Sequence, residues 1–568
     1  MVLFTGPDGF HPAEITLSAV FRWDEQTEDG CRFNEENPLI WEEYWKTRNR
    51  LECGATGQDP PMESVTPGHY RQLFVDNVVI EHVDNLVRTL HHPERDSANP
   101  VIRTDQPWED EIGYATVLFD EEEGRFKAWY DARGGIAYAV SDDGVHWDKP
   151  SIRLIKLDGH TANNMVIESL LSGTIIKDHG DADPERRYKY LGQKSRPEYG
   201  LYVGYSPDGL RWTGRATPVL TPDNDPGLND HPVMMHDRLR QRYIAFPKRE
   251  INNPYANGDW GMMQRMRCVS VSRDFERWTD PVLTLRADDR DPPDFQIHGL
   301  VGFNYENLYL GFIDAMHSGD VGPMERTIDV QLALSRDGEV WWRAGNRETF
   351  LPLGTSGSFD EFMMIPAHSP PIRVGEELYL YYSASACRHR HGNYPDHRRR
   401  EPWHGPGHPE GREEAKRPRA VPPDRAAAPS TGLGLARLRV DGFVSMDAGP
   451  RPGRLLTRPL LFDGTTLHVN VDARHGYVRA ELFRARPIPL VVNKWTNSPA
   501  WNWAINEPIP GYALEDCLGV SGDTTDGVIR WKGGAGIGPL SGERIVVRFE
   551  LSNAALYAFW LDGPTITR

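Results

Sequence analysis

Short runs in which apolar and polar positions alternate recur along the middle of this chain, and each group of runs ends in an acidic turn. The first group is the plainest: Ile112 to Phe119, the polar stretch DEEEGR, then FKAWYDA, then IAYAVS, then a turn at Asp143. Counterparts of FKAWY begin at Tyr188, Tyr243, Leu308 and Leu378. Period-two alternation over such short lengths, punctuated by Gly and Asp, predicts antiparallel strands. Four closing turns share one pattern, Ser-x-Asp-(Gly/Phe)-x-x-Trp, at Ser141–Trp147, Ser206–Trp212, Ser272–Trp278 and Ser335–Trp341. Their aspartates, Asp143, Asp208, Asp274 and Asp337, stand 65, 66 and 63 residues apart. A degenerate fifth copy, LARLRVDGFVSM, places Asp441 another 104 residues on, one repeat lengthened by an insertion.

A unit of this length holding four short strands is the size of a propeller blade, and five copies predict a five-bladed β-propeller over residues 69–447. Residues 450–568 change texture to longer alternating stretches such as TTLHVNVDA and ERIVVRFELS, which predict a β-sandwich. The fold class expected is therefore all-β. Residues 1–68 form a short N-terminal extension with two predicted helical pieces, 13–23 and 38–48. Residues 388–430, rich in Arg, His, Pro and Gly, have too few aliphatic side chains for a core and are expected to be an insertion loop. His389, His391 and His397 at its start suit either a metal or a solvated loop.

Composition narrows the partners. With 82 acidic against 64 basic residues the net charge is −18, which disfavours nucleic acid. No apolar run reaches the length of a membrane span, and the first residues lack an export-signal pattern. Five dispersed cysteines imply neither a disulfide framework nor a zinc cluster, and a cytoplasmic location is expected. The four turn tryptophans read best as wedges between sheets.

In a propeller the first strand of every blade lines the axis, so residues approaching those strands converge from distant parts of the sequence. Blade one offers Trp108, Glu109, Asp110 and Glu111; blade two, through TANNMVIE, offers Asn163 and Asn164; blade three offers Asn229, Asp230 and His231. Blade four offers Asp294, Gln296 and His298, and blade five offers Asp360, Glu361 and His368. Carboxylates gathered together repel, so one keeps its proton while another stays ionised, the pairing that glycoside cleavage uses. The alternative is that these acids cap turns. Second strands add Asp131, Arg133, Lys248, Arg249, Asp314 and His317, and a third strand adds Arg326 and Asp329. Polar groups of both signs suit a hydroxyl-rich ligand.

The repeat turns, the run DFQIHGLVGFNYENLYLGFID, the following IDVQLALSRDGEVWW and the closing LARLRVDGFVSMDAG resemble five-bladed propeller glycoside hydrolases related to families 32 and 43, over about residues 70 to 560. The resemblance is nearest to a poorly characterised bacterial branch of glycosyl hydrolases. It implies three acidic residues: Glu111 or Asp110 on blade one, Asp230 on blade three, and Asp294 or the pair Asp360 and Glu361. Blade one lacks the Asn-Asp-Pro-Asn-Gly segment of those families, so the assignment of roles stays open. The expected function is a glycoside hydrolase or transglycosylase acting on a furanoside-like or unusual sugar. It needs no metal or organic cofactor, although a calcium ion in the channel would be compatible. An inverting glycoside phosphorylase, with Lys248, Arg249, Arg326 and His298 gripping phosphate, is the second reading. A glycan-binding propeller without catalysis is the third. The partner expected in each case is a carbohydrate, and a homo-oligomer is left open.

Overall fold

The structure, a computed structural model, describes residues 64–109, 111–132, 135–168, 171–194, 200–224, 228–252, 263–292, 294–317, 326–389, 431–489, 501–534 and 536–562. The helical pieces expected before residue 68, and the insertion beyond His389, lie outside the described residues. Among the described residues the chain is all-β, with short 3-10 turns and no α-helix. No helix among the described residues is long and apolar enough to cross a membrane.

Three four-stranded antiparallel sheets come first. One holds β1 (Gly113–Asp120), β2 (Arg125–Ala132), β3 (Gly135–Ser141) and β4 (Met165–Glu168). The next holds β5 (Leu171–Lys177), β6 (Tyr188–Lys194), β7 (Gly200–Ser206) and β8 (Thr213–Gly214), and the third β9 (Leu228–Asp237), β10 (Arg242–Asn252), β11 (Met263–Ser272) and β12 (Val282–Leu285). Two further meanders follow: β13 (Gln296–Tyr305), β14 (Leu308–His317) and β15 (Thr327–Ser335), then β16 (Met363–Pro366), β17 (Glu377–Ser385) and β18 (Thr431–Arg439). A single parallel pair, Ile328 with Met363, joins them. Strands β1, β5, β9 and β13 neighbour one another in that order; β16 packs on β14, and β1 packs on β16, so the succession closes on itself.

The repeated turns have one construction. The Ser141 hydroxyl accepts from the Gly144 amide at 2.8 Å, and Asp143 Oδ1 accepts from the amides of Val145 and His146, each at 2.8 Å. Trp147 Nε1 then donates to the Gly144 carbonyl at 3.1 Å. The same bonds recur around Asp208, Asp274 and Asp337. The fourth motif position has φ of 78°, 77° and 78° at Gly144, Gly209 and Gly338, and of 67° at Phe275. Glycine adopts that region freely, so the motif asks for it there. The tryptophans do wedge between sheets: Trp341 meets Phe246 edge-on at 5.5 Å, and Trp147 meets Tyr381 at 5.9 Å.

A second repeated device links each sheet to the next. Asp120 at the end of β1 accepts from Lys127, from Lys177 of the second sheet at 2.6 Å and from the Tyr188 hydroxyl at 2.5 Å. Asp178 takes Lys189 at 2.9 Å and the Tyr243 hydroxyl, and Asp237 takes Arg242 at 2.8 Å and the Tyr309 hydroxyl at 2.8 Å. Each buried carboxylate is thus paired with cations and hydrogen-bonded across the seam, the condition under which burying charge is tolerated.

Two expectations are corrected. The run Met165–Glu168 does not open the second sheet; it pairs with β3 through Gly135–Glu168, Ile136–Ile167 and Ala137–Met165. Val166 and Ile167 there fill the seam with Trp129, Tyr188 and Tyr190. The start expected at residue 69 also moves. Gln72–Leu73, Ile80–Asp84 and Val87–Leu90 join Val444–Ala448, Gly453–Thr457, Leu460–Leu461, Thr466–Arg484, Val520–Ile529, Arg544–Ser552 and Ala554–Asp562 in a ten-stranded sheet. Phe74, Val79 and Ile80 are buried in the core beneath that sheet, and this apolar burial draws the early strands to it. Glu94–Arg95 and Ile102–Arg103 pair instead with β18, completing the last meander.

Candidate functional site

Each of the first four first strands breaks register near its start. β1 slips against β2 between Gly113 and Thr116, and β5 against β6 between Leu171 and Thr174. β9 slips against β10 between Asn229 and Val233, and β13 against β14 between Ile297 and Gly299. Such bulges re-aim a side chain out of the sheet's alternation. Tyr114, Ser172 and His231 within them have φ of 43°, 51° and 63°, a strained region for residues with a Cβ. His298 occupies the fourth break.

These side chains meet. The His231 ring lies 4.7 Å from Tyr114, 4.9 Å from His298 and 4.9 Å from His368, centre to centre, and Tyr114 lies 5.9 Å from His368. His368 follows β16 and is stitched across the circuit. Its amide donates to the Ala115 carbonyl at 2.7 Å, and its Nδ1 donates to the Gly173 carbonyl at 3.0 Å. A carbonyl only accepts, so the proton is on Nδ1 and Nε2 presents a lone pair.

Carboxyls sit on the adjoining second strands. Asp314 Oδ2 is 3.0 Å from His231 Nε2 and 3.2 Å from His298 Nδ1. Burial raises the Asp314 carboxyl to about 7, with Arg267 and Lys248 pulling the other way. Burial likewise holds His231 and His298 well below the ordinary imidazole value and brings His368 down to about 4. Asp131 accepts from the Ser172 amide at 2.9 Å and is pushed well above the carboxylate range, by burial first and by the negative charge of Glu111 in addition. Gly299 is required beside the cluster, because a Cβ there would stand 2.0 Å from Asp314 Oδ2 and 2.7 Å from His231 Nε2.

Cations form the next layer. Arg267 donates to the carbonyls of His231 and Phe246 at 3.0 and 3.3 Å. Lys248 and Arg265 share Glu250 at 3.4 and 3.1 Å, and Arg265 also donates to Gln296 at 2.6 Å. Arg326 is buried, and its carbonyl accepts from the amide of His389, whose ring is 5.2 Å from that of His298.

Of the residues singled out in the sequence, His298 and His368 stand in the cluster, and Lys248 and Arg326 border it. Glu111 is exposed, close enough for its charge to reach Asp131. His317 and Asp329 pair at 3.4 Å at the end of the fourth meander. Asp294 is half-buried just ahead of β13, and the side chain of Asp230 lies outside the described residues. Others are engaged elsewhere. Trp108 donates to Asn164 at 2.8 Å, and Asn164 bonds the Tyr138 carbonyl at 2.8 Å in the first sheet. Arg249 donates to the Pro281 carbonyl at 3.1 Å. Asp360 binds Arg95 at 2.6 Å and the Tyr382 hydroxyl at 3.1 Å, and Glu361 accepts from the Gly357 amide at 2.9 Å. Sequence reading placed His231 near a first strand and Asp314 among the sugar-binding groups, and it passed over Tyr114 and Arg267. The signal available was the pair His298–Gly299, where a polar residue interrupts an apolar strand beside a glycine.

No protein-family model matches the sequence, and no curated protein matches it. Its structural neighbours include glycoside hydrolases and members of a phosphorylase family. An N-acetylgalactosamine deacetylase from F. plautii superposes with a TM-score of 0.39 and 14% identity, over 64% of this chain and 96% of that one. A fructofuranosidase from Schwanniomyces occidentalis gives 0.38 and 11%, over 85% and 98%. A member of glycoside hydrolase family 130, a family of mannoside phosphorylases and of hydrolases that target β-1,2 mannosidic linkages in Candida mannan, gives 0.38 and 14%, over 62% and 94%.

Proposed function

We propose that the closed succession of meanders is a five-bladed propeller, with the ten-stranded sheet as its sandwich-like companion, and that the protein is a glycoside-cleaving enzyme whose centre lies on the propeller axis. The observation that carries this reading is the convergence of Tyr114, His231, His298 and His368, from four different meanders, on the carboxyl of Asp314, with Asp131 held at Ser172 of the neighbouring first strand. Residues from first, third, fourth and fifth repeats meet at one point only if the repeats share an axis.

Within that centre Asp131 and Glu111 have the unequal environments that acid–base chemistry uses. Asp131 is buried and its carboxyl is pushed well above the carboxylate range, which favours the protonated form, whereas Glu111 is open to water. Asp131 serves as the proton donor to the leaving oxygen, and Glu111 as nucleophile or base. Assay of aryl furanosides and pyranosides, with and without phosphate, tests the reading. Turnover in buffer that falls about 10²- to 10⁴-fold in Glu111→Gln supports it. Turnover that requires phosphate would transfer the assignment to a phosphorylase, for which Arg267 and Lys248 are the nearest buried cations. Glycan binding with no turnover on any substrate would leave a binding module and refute catalysis.

A further inference from the structure

The cluster carries an inference that stands independently of the glycoside reading. We infer that His231, His298 and Asp314 form a binding site for one divalent transition-metal ion on the axis. Two of the three donor pairs are already at bonding spacing: Oδ2 of Asp314 is 3.0 Å from Nε2 of His231 and 3.2 Å from Nδ1 of His298, and one donor atom from each residue falls within 4.8 Å of the others, so the two imidazoles need only a small turn to share an ion. Two ligands about 2.1 Å from a shared ion, at tetrahedral or octahedral angles, stand roughly 3.0 to 3.5 Å apart.

The cluster holds buried polar atoms that the described protein groups do not satisfy. Asp314 Oδ1, His231 Nδ1 and His368 Nε2 are fully buried and have no hydrogen-bond partner among the described residues. If the His231 proton is on Nε2, its Nδ1 lone pair is stranded. If the proton is on Nδ1, that donor is stranded and the Nε2 lone pair faces the carboxylate. An ion bound at Nε2 removes the repulsion and uses the carboxylate charge, which burial otherwise makes costly. Gly299 keeps the face of the pair clear, as a Cβ there would come within 2.7 Å of His231 Nε2. His368 lies beside His231 with its tautomer set by the Gly173 carbonyl, the arrangement of an outer ligand or a partner for ion-bound water.

The donor set selects the ion. Two imidazoles and one carboxylate suit Zn²⁺, Mn²⁺, Fe²⁺ or Co²⁺, whereas Ca²⁺ and Mg²⁺ call for six or more oxygens. Arg267 and Lys248 near Asp314 sharpen the choice. A hard ion held by charge meets their repulsion undiluted, and a nitrogen-preferring ion offsets it with two coordinate bonds.

Full-length protein without an affinity tag, stripped with chelator, is titrated with Co²⁺ by visible absorption and with Zn²⁺ by thermal shift, and metal is counted by mass spectrometry. The expected result is one ion per chain, a melting temperature raised by several degrees with Zn²⁺, and no shift with Ca²⁺ or Mg²⁺ at equal concentration. Asp314→Asn and His298→Gln should each weaken binding at least about 100-fold. The double variant His391→Ala, His397→Ala in the histidine-rich insertion should bind as wild type. Substoichiometric metal with no thermal shift overturns the inference. So does loss of binding in the insertion variant while His298→Gln binds unchanged. Should Asp314→Asn not fold, the wild-type stoichiometry and His298→Gln still decide.

Discussion

Asp131 is the residue whose two roles pull in opposite directions. Its folded-state carboxyl lies above the unfolded value, so its contribution to stability is fully present below about pH 4 and is lost as pH rises through the folded value. Asp131→Asn removes that loss. The variant should match wild type in urea melts near pH 3.5 and gain on it by up to about 1.4 kcal/mol per pH unit above that window. Under the proposed mechanism it also loses turnover, so a more stable and inactive enzyme is the expected pairing; equal stability across the pH range would show that Asp131 ionises normally. Gly299→Ala argues in the other sense. A methyl group 2.0 Å from Asp314 Oδ2 must push the carboxylate or the strand aside, at about 1–3 kcal/mol by chemical denaturation. These residues were only partly legible in the sequence. His231, His298 and Asp131 stood out as polar groups near predicted strands, but which of them meet is fixed by bulges, and a bulge is a property of strand pairing that a single strand does not encode.

The turns were legible because each closes within seven residues. Ser, Asp and Trp bind amides and a carbonyl two or three positions away, so period and role show together in the sequence. The seam clamps were not. Asp120 meets Lys177 and Tyr188 only after an intervening stretch whose length varies from repeat to repeat. The same non-locality explains why Met165–Glu168 read as a first strand: its apolar run matches a seam-filling outer strand equally well. Elements of the two kinds should respond differently to mutation. Asp208→Ala strips two partly exposed amides of their acceptor and is expected to cost about 1–2 kcal/mol. Asp120→Ala leaves two buried ammonium groups without their shared anion and is expected to cost about 3–5 kcal/mol in equilibrium unfolding. Acid sensitivity follows from the same clamps. Asp120 is held well below the carboxylate range and Asp178 at about 2, both against the opposing effect of burial, by bonds from lysine and tyrosine. Folded values below the unfolded ones give stability that is present above about pH 4 and lost as pH falls toward 2. Acid unfolding that begins only below pH 2 would contradict these pairings.

At the scale of the molecule the degenerate fifth turn is the informative one. Asp441 keeps the aspartate of the motif but has no closing tryptophan, and its carboxylate is turned to another use. It lies fully buried between the last meander and the ten-stranded sheet, bound by Arg71 at 2.5 Å, by the Tyr305 hydroxyl at 2.8 Å and by Asn470 at 2.9 Å. Arg71 also stacks on Trp560 at 3.9 Å, and Arg439 reaches Asn470 and Asp523. The chain further binds the units together by sending Gln72–Leu90 into the ten-stranded sheet and Glu94–Arg103 onto β18, where Asn99 exchanges bonds of 2.7 and 2.8 Å with Leu435. Two cores fastened by buried polar bonds and a shared strand segment should melt as one. A single calorimetric transition is therefore expected for the wild type. Asp441→Ala leaves the half-buried Arg71 without its anion and takes the acceptor from the Tyr305 hydroxyl and the Asn470 amide, and should lower overall stability by about 1–3 kcal/mol. With the central fastening gone, the single transition should resolve into two, the ring and the ten-stranded sheet each unfolding near its own midpoint. Unchanged single-transition melting in Asp441→Ala would mean that the shared early strands alone couple the cores. In that case Asn99→Ala, which takes two bonds from the closing segment, should produce the split instead.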